Sequence, residues 1–382
     1  MRRRSFLEGA LLLAAQRAGR AAGDFDLRAI ERVRVLAAAG RYLAEQPVTV
    51  TASRCSRSAG GLHDFYSEAD YWWPEPRNPG GPYIQRDGMT NPDNFLDHRR
   101  AMIRLSLIVP ALAAAYLLDR KRTYAESAAR HLRAWFVDGA TRMNPNLQYA
   151  QAIKGRFTGR GTGIIDTVHL AEVARAASRI DLPQRHSDAV KRWFAEYLGW
   201  ISSHPYGIAE RDAKNNHGTC WAVQALAFAQ LTGNRQMEDY CRASFKTVLL
   251  PNQEGPDGSF PQELSRTKPY GYSLFNLDAM AMLAQMLTTP AGNLWQWRLP
   301  DGRGMEKAAA YMYPYVLDKK TWPLPPDVMY DKEWPVRQPF LLFAGLALNK
   351  PEYLALWRKL DPDPAVEEVR RNFPYRQPLL WV

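Results

Sequence analysis

In the run Arg211 to Ala222, RDAKNNHGTCWA, two amides, an imidazole, a cation and an indole stand at the head of a strongly helical stretch. Asn215, Asn216 and His217 would open a helix whose apolar positions continue through Trp221, Val223, Leu226, Phe228 and Leu231. One Asn is explained as an N-cap, whose side-chain oxygen accepts a backbone N–H. A second Asn and a His are more than a cap needs. Further along, Arg266 and Tyr272 lie in a segment punctuated by Gly and Pro. These four residue types suit removal of a proton from a carbon next to a carboxylate. Such a proton is hardly acidic because the carboxylate is already negative, so preorganised donors must stabilise the charge that develops. Asn216, His217 and Arg266 supply amide, imidazole and guanidinium donors. Tyr272 can serve as base and then acid if neighbouring cations draw its proton down. In a 1,4-linked uronic acid polymer the same step at C5 expels the 4-linked sugar by β-elimination, and either His217 or Tyr272 could take the proton.

The sequence also narrows the chemistry by what it lacks. Its seven His are dispersed, with no HxxxH or HExxH helix, and three Cys are too few and too far apart for a metal cage. There is no GxxxxGK[ST] or GxGxxG phosphate cradle. The expectation is therefore a reaction without metal or cofactor on an anionic substrate. A glycoside hydrolase is the first alternative, needing two carboxylates across the scissile bond, for which Asp166, Glu210, Asp257 and Glu263 are candidates. A non-catalytic protein that binds acidic polysaccharide is the second; it would keep the aromatic loops but not depend on Tyr272.

Helical periodicity dominates the elements that must position these groups, and strand-like alternation is scarce. Helices are expected over Leu27–Glu45, Phe95–Leu118, Tyr124–Val137, Ile164–Ile180, Ser187–Ile201, Asn216–Leu231, Met237–Leu250, Leu274–Leu287, Gly304–Leu317, Phe340–Leu348 and Glu352–Leu360. Polar turns near Asp119, Asp181, Gly233, Thr289 and Asn349 recur at spacings of 62, 52, 56 and 60 residues, each interval holding two helices and a longer connection. A repeat of helix pairs that cannot bury their apolar faces alone predicts an all-α fold, an incomplete (α/α) toroid of about five to seven helical hairpins. Its long loops would gather into a cleft at one end, and loops on a rigid scaffold are the usual carriers of sites.

Those loops carry the candidate substrate contacts. Trp72, Trp73 and Tyr83 lie in the Gly- and Pro-rich stretch 60–94; Gln148, Tyr149 and Arg160 lie in 143–163; Lys268 and Tyr270 flank Arg266 and Tyr272. Asn215 joins them at the helix head. Lone His63 and His169 read as structural histidines.

Bulk properties fit the same picture. The 382 residues are 46% hydrophobic and 12% aromatic, enough for a large core and against disorder. The N-terminal segment joins a basic head to a short apolar run and ends in small residues near Ala22, which reads as an export signal over residues 1–22. Arg3-Arg4-Ser5-Phe6-Leu7 resembles its twin-arginine form. The run is too short to span a bilayer, so no stable membrane span is expected and the mature chain, a single domain over 23–382, would be periplasmic or secreted. Losing five Arg and one Glu with that segment takes the formal charge from +11 to +7, still suited to a polyanionic partner. The cations are scattered rather than blocked, which argues against nucleic acid. Cys220 and Cys241 could bridge, but two buried free thiols are the simpler expectation.

The Asn-Asn-His triplet followed closely by Trp221, then Arg266 and Tyr272, resembles the alginate lyase superfamily of α/α-toroid polysaccharide lyases, with a similarity running from the Tyr71-Trp72-Trp73-Pro74 loop to Asn276. The resemblance implies that Asn216 and His217 contact a uronate carboxylate, that Arg266 is the Arg of the Glu-Leu-Ser-Arg segment, and that Tyr272, with Phe275 after it, is the catalytic Tyr, with Tyr270 a second candidate because the spacing from Arg266 differs slightly from the family pattern. The WWPEP and NPNLQYAQ segments look more like the alginate and glucuronan lyase branch. The implied substrate is an anionic uronate polysaccharide.

Overall fold

A computed structural model describes residues 25–382, so the segment read as an export signal lies outside the described residues. The chain opens with α1 (Leu27–Tyr42), capped by Asp26, whose carboxylate accepts the Ala29 N–H. Three short strands follow, β1 (Tyr66–Glu68), β2 (Trp72–Trp73) and β3 (Ile84–Gln85). Then come α2 (Asp97–Asp119), α3 (Arg122–Phe136) and β4 (Tyr149–Ala152). The next helices are α4 (Leu170–Ala177), α5 (Gln184–Ser203), α6 (Pro205–Arg211), α7 (Asn216–Thr232), α8 (Arg235–Ser244), α9 (Leu250–Gln253) and α10 (Pro261–Leu264). The chain finishes with α11 (Pro269–Leu287), α12 (Met305–Leu317), α13 (Pro339–Ala347), α14 (Pro351–Lys359) and α15 (Glu367–Arg371).

Five helices, α2, α4, α7, α11 and α13, pack one on the next and form the inner layer. Their side chains are buried nearly all round, as expected of helices without a polar face. Outside them α1 packs on α2, α5 on α7, α8 on α7, α12 on α11 and α13, and α14 on α13. This is the (α/α) toroid expected from the periodicity. Among the described residues α13 is not packed broadly on α2, and the turn Pro378–Leu380 lies against α1, α2 and α4 instead. Glu172 on α4 pins this C-terminal segment, its buried carboxylate accepting from the Arg376 and Gln377 backbones and the Trp381 indole. Among the described residues one helix, α2, is long and apolar enough to cross a membrane, but it is a buried inner helix of the ring. Cys55, Cys220 and Cys241 are all buried free thiols.

Three element boundaries depart from the periodicity. The stretch expected as one helix over Ile164–Ile180 begins as a 3-10 turn, Gly161–Thr167, and Met237–Leu250 passes through a π-turn at Phe245–Leu249. More important for the site, α11 starts at Pro269 rather than Leu274, which turns Tyr270 and Tyr272 from loop residues into first-turn residues. Pro suits the first helical position because its missing N–H would be unpaired there anyway. Asp327, far along the chain, caps the exposed donors by accepting the Tyr270 and Gly271 N–H groups at 2.9 and 2.8 Å. Residue 271 is Gly because a Cβ there would sit 2.7 Å from the Asp327 carboxylate.

Two small sheets complete the cleft wall. β1 pairs in parallel with β4, and β2 pairs antiparallel with β3, setting Trp72 opposite Gln85 and Trp73 opposite Ile84.

Candidate active site

Asn215 is the N-cap of α7, its side chain accepting the His217 N–H at 3.3 Å, so the bland role belongs to the first Asn of the pair. Asn216 and His217 are thereby freed to face the cleft from the first turn, where the helix end favours negative charge. Each is held by a buried carboxylate. Glu263 accepts from the Asn216 backbone and from its side-chain amide, both at 2.8 Å. An amide nitrogen has two donor hydrogens, so one remains for a ligand. Glu210 lies 2.6 Å from His217 Nδ1, which directs Nε2 away from it. Burial opposes a charge on His217, but Glu210 outweighs it and the imidazole pKa is raised. Burial likewise raises Glu263, against the two Asn216 hydrogen bonds that lower it.

Arg266 sits with its guanidinium 4.7 Å from the centre of the Tyr272 ring and makes a two-pronged pair with Asp87, Nη2 at 2.6 Å and Nε at 3.1 Å. Nη1 is outside that pair, and the side chain keeps 29% of its surface exposed. The Tyr272 hydroxyl donates to the Tyr71 hydroxyl at 2.7 Å. The expectation that cations draw the Tyr272 proton down is not met. Burial, then Tyr71, push the phenol well above its ordinary value, and Arg266 offsets only part of this.

These groups share one cavity of 170 Å³, lined by Asn216, His217, Arg266 and Tyr272 together with Tyr71, Trp72, Gln151, Arg160, Asp70 and Arg371. Three arginines against one acid make it a site for an anion. It opens into a wider lobe of 500 Å³ that shares His217, Arg266, Arg160, Thr162 and Gln85 with it and adds Asn215, Glu210 and Asp87. Arg160 reaches the cleft between two glycines. At Gly159 a Cβ would fall 2.0 Å from the Gln148 carbonyl oxygen. The Arg160 guanidinium donates to the Gln151 side chain at 2.9 Å, and Gln151 in turn donates to Asp166 at 3.1 Å.

Several expected contacts lie elsewhere. Tyr270 is fully buried with its hydroxyl on the Tyr315 carbonyl, so helical geometry sends it to the core and only Tyr272 to the cleft. Lys268 is buried in an ion pair with Glu368 at 3.3 Å, between the rings of Tyr71 and Tyr330, and supports the wall rather than lining the cavity. Gln148 and Tyr149 stand outside both lobes; Tyr149 packs against Gly60 and the small cluster of Cys55, Tyr66 and Ala152. Tyr83 is turned toward Lys154, whose ammonium lies 5.5 Å from its ring, and lines neither lobe. Trp73 faces the opposite side of its strand from Trp72, its indole donating to the Met89 carbonyl.

The four carboxylates considered for hydrolysis are committed to other partners. Glu210 and Glu263 hold His217 and Asn216, Asp166 accepts from Ser67, Gln151 and Arg99, and Asp257 accepts from Ser259. Sequence reading did not find Asp87, Tyr71's role, Gln151, Arg371 or Asn372 as site residues. Only Tyr71 had a local signal, its place beside Trp72 in the same aromatic run. Gln151 reaches the cleft from β4, Arg371 and Asn372 from the end of α15, and Asp87 from the segment after β3.

The alginate lyase family profile matches residues 49–322 of the chain. A crystal structure of an alginate lyase from Bacteroides ovatus is similar over 97% of this chain and 98% of that one, with 30% identity and a TM-score of 0.79. Alginate lyase A1-III from Sphingomonas species A1 is similar over 82% of this chain and 85% of that one, at 15% identity and a TM-score of 0.50. A tetrasaccharide complex of alginate lyase A1-III gives 14% identity, 81% and 84% coverage and a TM-score of 0.53. At such identities the A1-III likeness speaks to fold alone. No curated protein sequence matches the chain.

Proposed function

Given that the chain belongs to the alginate lyase family and is a polysaccharide lyase, we propose that it cleaves a 1,4-linked uronic acid polymer, alginate or polymannuronate or glucuronan, by β-elimination without a metal. The observation that carries this reading is the paired support of the clamp: Glu263 on Asn216 and Glu210 on His217, set across one small cavity from Arg266 and Tyr272. Donors fixed before the substrate arrives need no reorganisation as charge develops, which is how such sites lower a barrier.

In the reaction, the free hydrogen of Asn216, the His217 imidazole and Arg266 Nη1 engage the carboxylate of the uronate to be attacked. A raised pKa suits His217 to a charged, donating role, leaving proton removal to Tyr272. The C5–H bond breaks with its electron pair forming the C4=C5 double bond, the C4–O4 bond breaks, and the departing oxygen takes a proton from Tyr272. No water is consumed. Tyr272 acts as the phenolate, its own proton having passed to solvent through the wide lobe before substrate closes the cleft; it takes the C5 proton and returns that proton to O4, so it ends the cycle as it began, with Tyr71 as its hydrogen-bond partner.

The test is a screen of purified protein on alginate, polymannuronate, polyguluronate and glucuronan, read by ultraviolet absorbance of new double bonds. Cleavage with new reducing ends but no absorbance would overturn elimination in favour of hydrolysis. Binding without cleavage would leave a sugar-binding protein. On the strength of residues 1–22, the site of action we propose is the periplasm or the medium, checked by fractionating cells that express the full chain.

A further inference from the structure

Lining residues order the cavities along a line. The wide 500 Å³ lobe shares His217, Arg266 and Arg160 with the 170 Å³ catalytic cavity, and that cavity shares only Asp70 and Arg371 with a third cavity of 460 Å³ behind it. The reacting groups therefore sit toward the open lobe. At the far end stands a wall made by the Asp70–Arg371 ion pair, 2.5 Å between Nη1 and Oδ2, with Asn372 beside it.

The wall is braced from both sides. Asp70 is also paired with the buried Arg99 at 2.6 Å, which reaches Asp166 at 3.3 Å. Arg371 Nε lies 3.5 Å from Glu368, and Asn372 donates to the Glu368 carbonyl and carboxylate at 2.9 and 3.1 Å. Arg371 still keeps 17% of its side chain exposed, and among the described residues its ion pairs run through Nη1 and Nε and leave Nη2 without one. The attacked uronate sits at the mouth, where His217 and Arg266 line both cavity and lobe, and the 170 Å³ cavity falls below the roughly 300–1,000 Å³ that encloses a drug-sized ligand, so its depth toward the wall takes one further pyranose ring at most.

Resting on the lyase reading above, we infer that this enzyme acts at a chain end, with the terminal uronate docked against Arg371 and Asn372 and the remaining polymer leaving through the wide lobe. Arg371 Nη2 pairs with the carboxylate of that terminal unit. Arg371 and Asn372 lie beyond the stretch 49–322 that matches the family profile, while Asp70, which holds Arg371, lies within it. An Arg fork suits a carboxylate better than a Lys point charge does.

The experiment follows product size and viscosity together on whichever uronate polymer the enzyme cleaves. The expected result is short products from the first time points, long chains persisting, and viscosity falling slowly relative to double bonds formed. A ladder of intermediate lengths with an early collapse of viscosity overturns the inference while leaving the lyase reading intact; failure to cleave any uronate polymer overturns both. Arg371→Lys keeps a cation against Asp70 and so guards the fold. It should raise KM for a uronate trisaccharide about tenfold, the cost of one charge-assisted hydrogen bond, and raise it more than it lowers kcat, with an unchanged thermal melt. An unchanged KM and product pattern in Arg371→Lys and in Asn372→Ala would remove the wall from substrate recognition.

Discussion

Glu263 grips Asn216 at two points, its two carboxylate oxygens accepting the backbone N–H and the side-chain amide at 2.8 Å each. The grip fixes the helix start and the amide at once, so the donor that would meet a substrate carboxylate has one orientation. A glutamine at 263 could accept only one of those bonds and would turn an N–H donor toward the other.

Glu263→Gln should therefore lower kcat by about 10²–10³-fold, the usual effect of losing one preorganised donor, with a smaller change in KM. Steady-state rates of double-bond formation check this. A variant that loses affinity but keeps kcat would mean that Asn216 binds ground state and transition state alike.

The Glu210 and His217 pair sets a pH limit. Burial lowers the His217 pKa, Glu210 raises it, and the net shift is upward from 6.5. A raised folded value means that the stability from the charged pair is complete below the unfolded pKa and is lost as pH rises through the folded one. The clamp follows the same proton. kcat/KM should fall on the alkaline side at that raised pKa, and Glu210→Gln should move the limb to lower pH. A limb that stays in place would assign it to another group.

Two tyrosines on one helix turn separate site from scaffold. Tyr272→Phe should abolish turnover while oligosaccharide binding persists, seen by calorimetry. Tyr270→Phe loses only the bond to the Tyr315 carbonyl. It should cost about 1 kcal/mol of stability, read from denaturant unfolding, and leave the rate alone. Wild-type turnover in Tyr272→Phe would remove the phenol from the proton transfers.

Away from the cleft, Glu254 is buried, and burial pushes its carboxyl up to about 7. The folded state then binds a proton that the unfolded chain has released, so stability falls as pH rises from the ordinary carboxylate range through about 7. Glu254→Gln should raise the melting temperature above pH 7, with the gain vanishing near pH 4. An equal gain at both ends would mean a packing effect instead.

How much of this was legible in the sequence differs by element. The helix pairs could be read because an outer helix is apolar on a single stripe and so leaves a 3.6-residue period, while an inner one is apolar on every face and leaves a long apolar run. Asn215, Asn216 and His217 could be read because two amides and an imidazole exceed what capping requires, and the structure assigns the cap to Asn215. The start of α11 could not, because its cap is Asp327, a partner that only the folded chain brings near.

Sequence by itself determined the ring of helix pairs, the triplet at the head of α7 and the pairing of that triplet with an Arg and a Tyr further on. These depend on local periodicity and on residue chemistry. Tertiary structure alone decided which of Tyr270 and Tyr272 faces the cleft, sent Lys268 and Tyr149 into supporting walls, and turned Glu210 and Glu263 from rival catalysts into props for His217 and Asn216. It also carried Arg371 to the far end of the cavity. The physical reason is that a side chain's direction and its hydrogen-bond partner are set by the neighbours packed around it, and those neighbours are as distant in sequence as Asp87 is from Arg266.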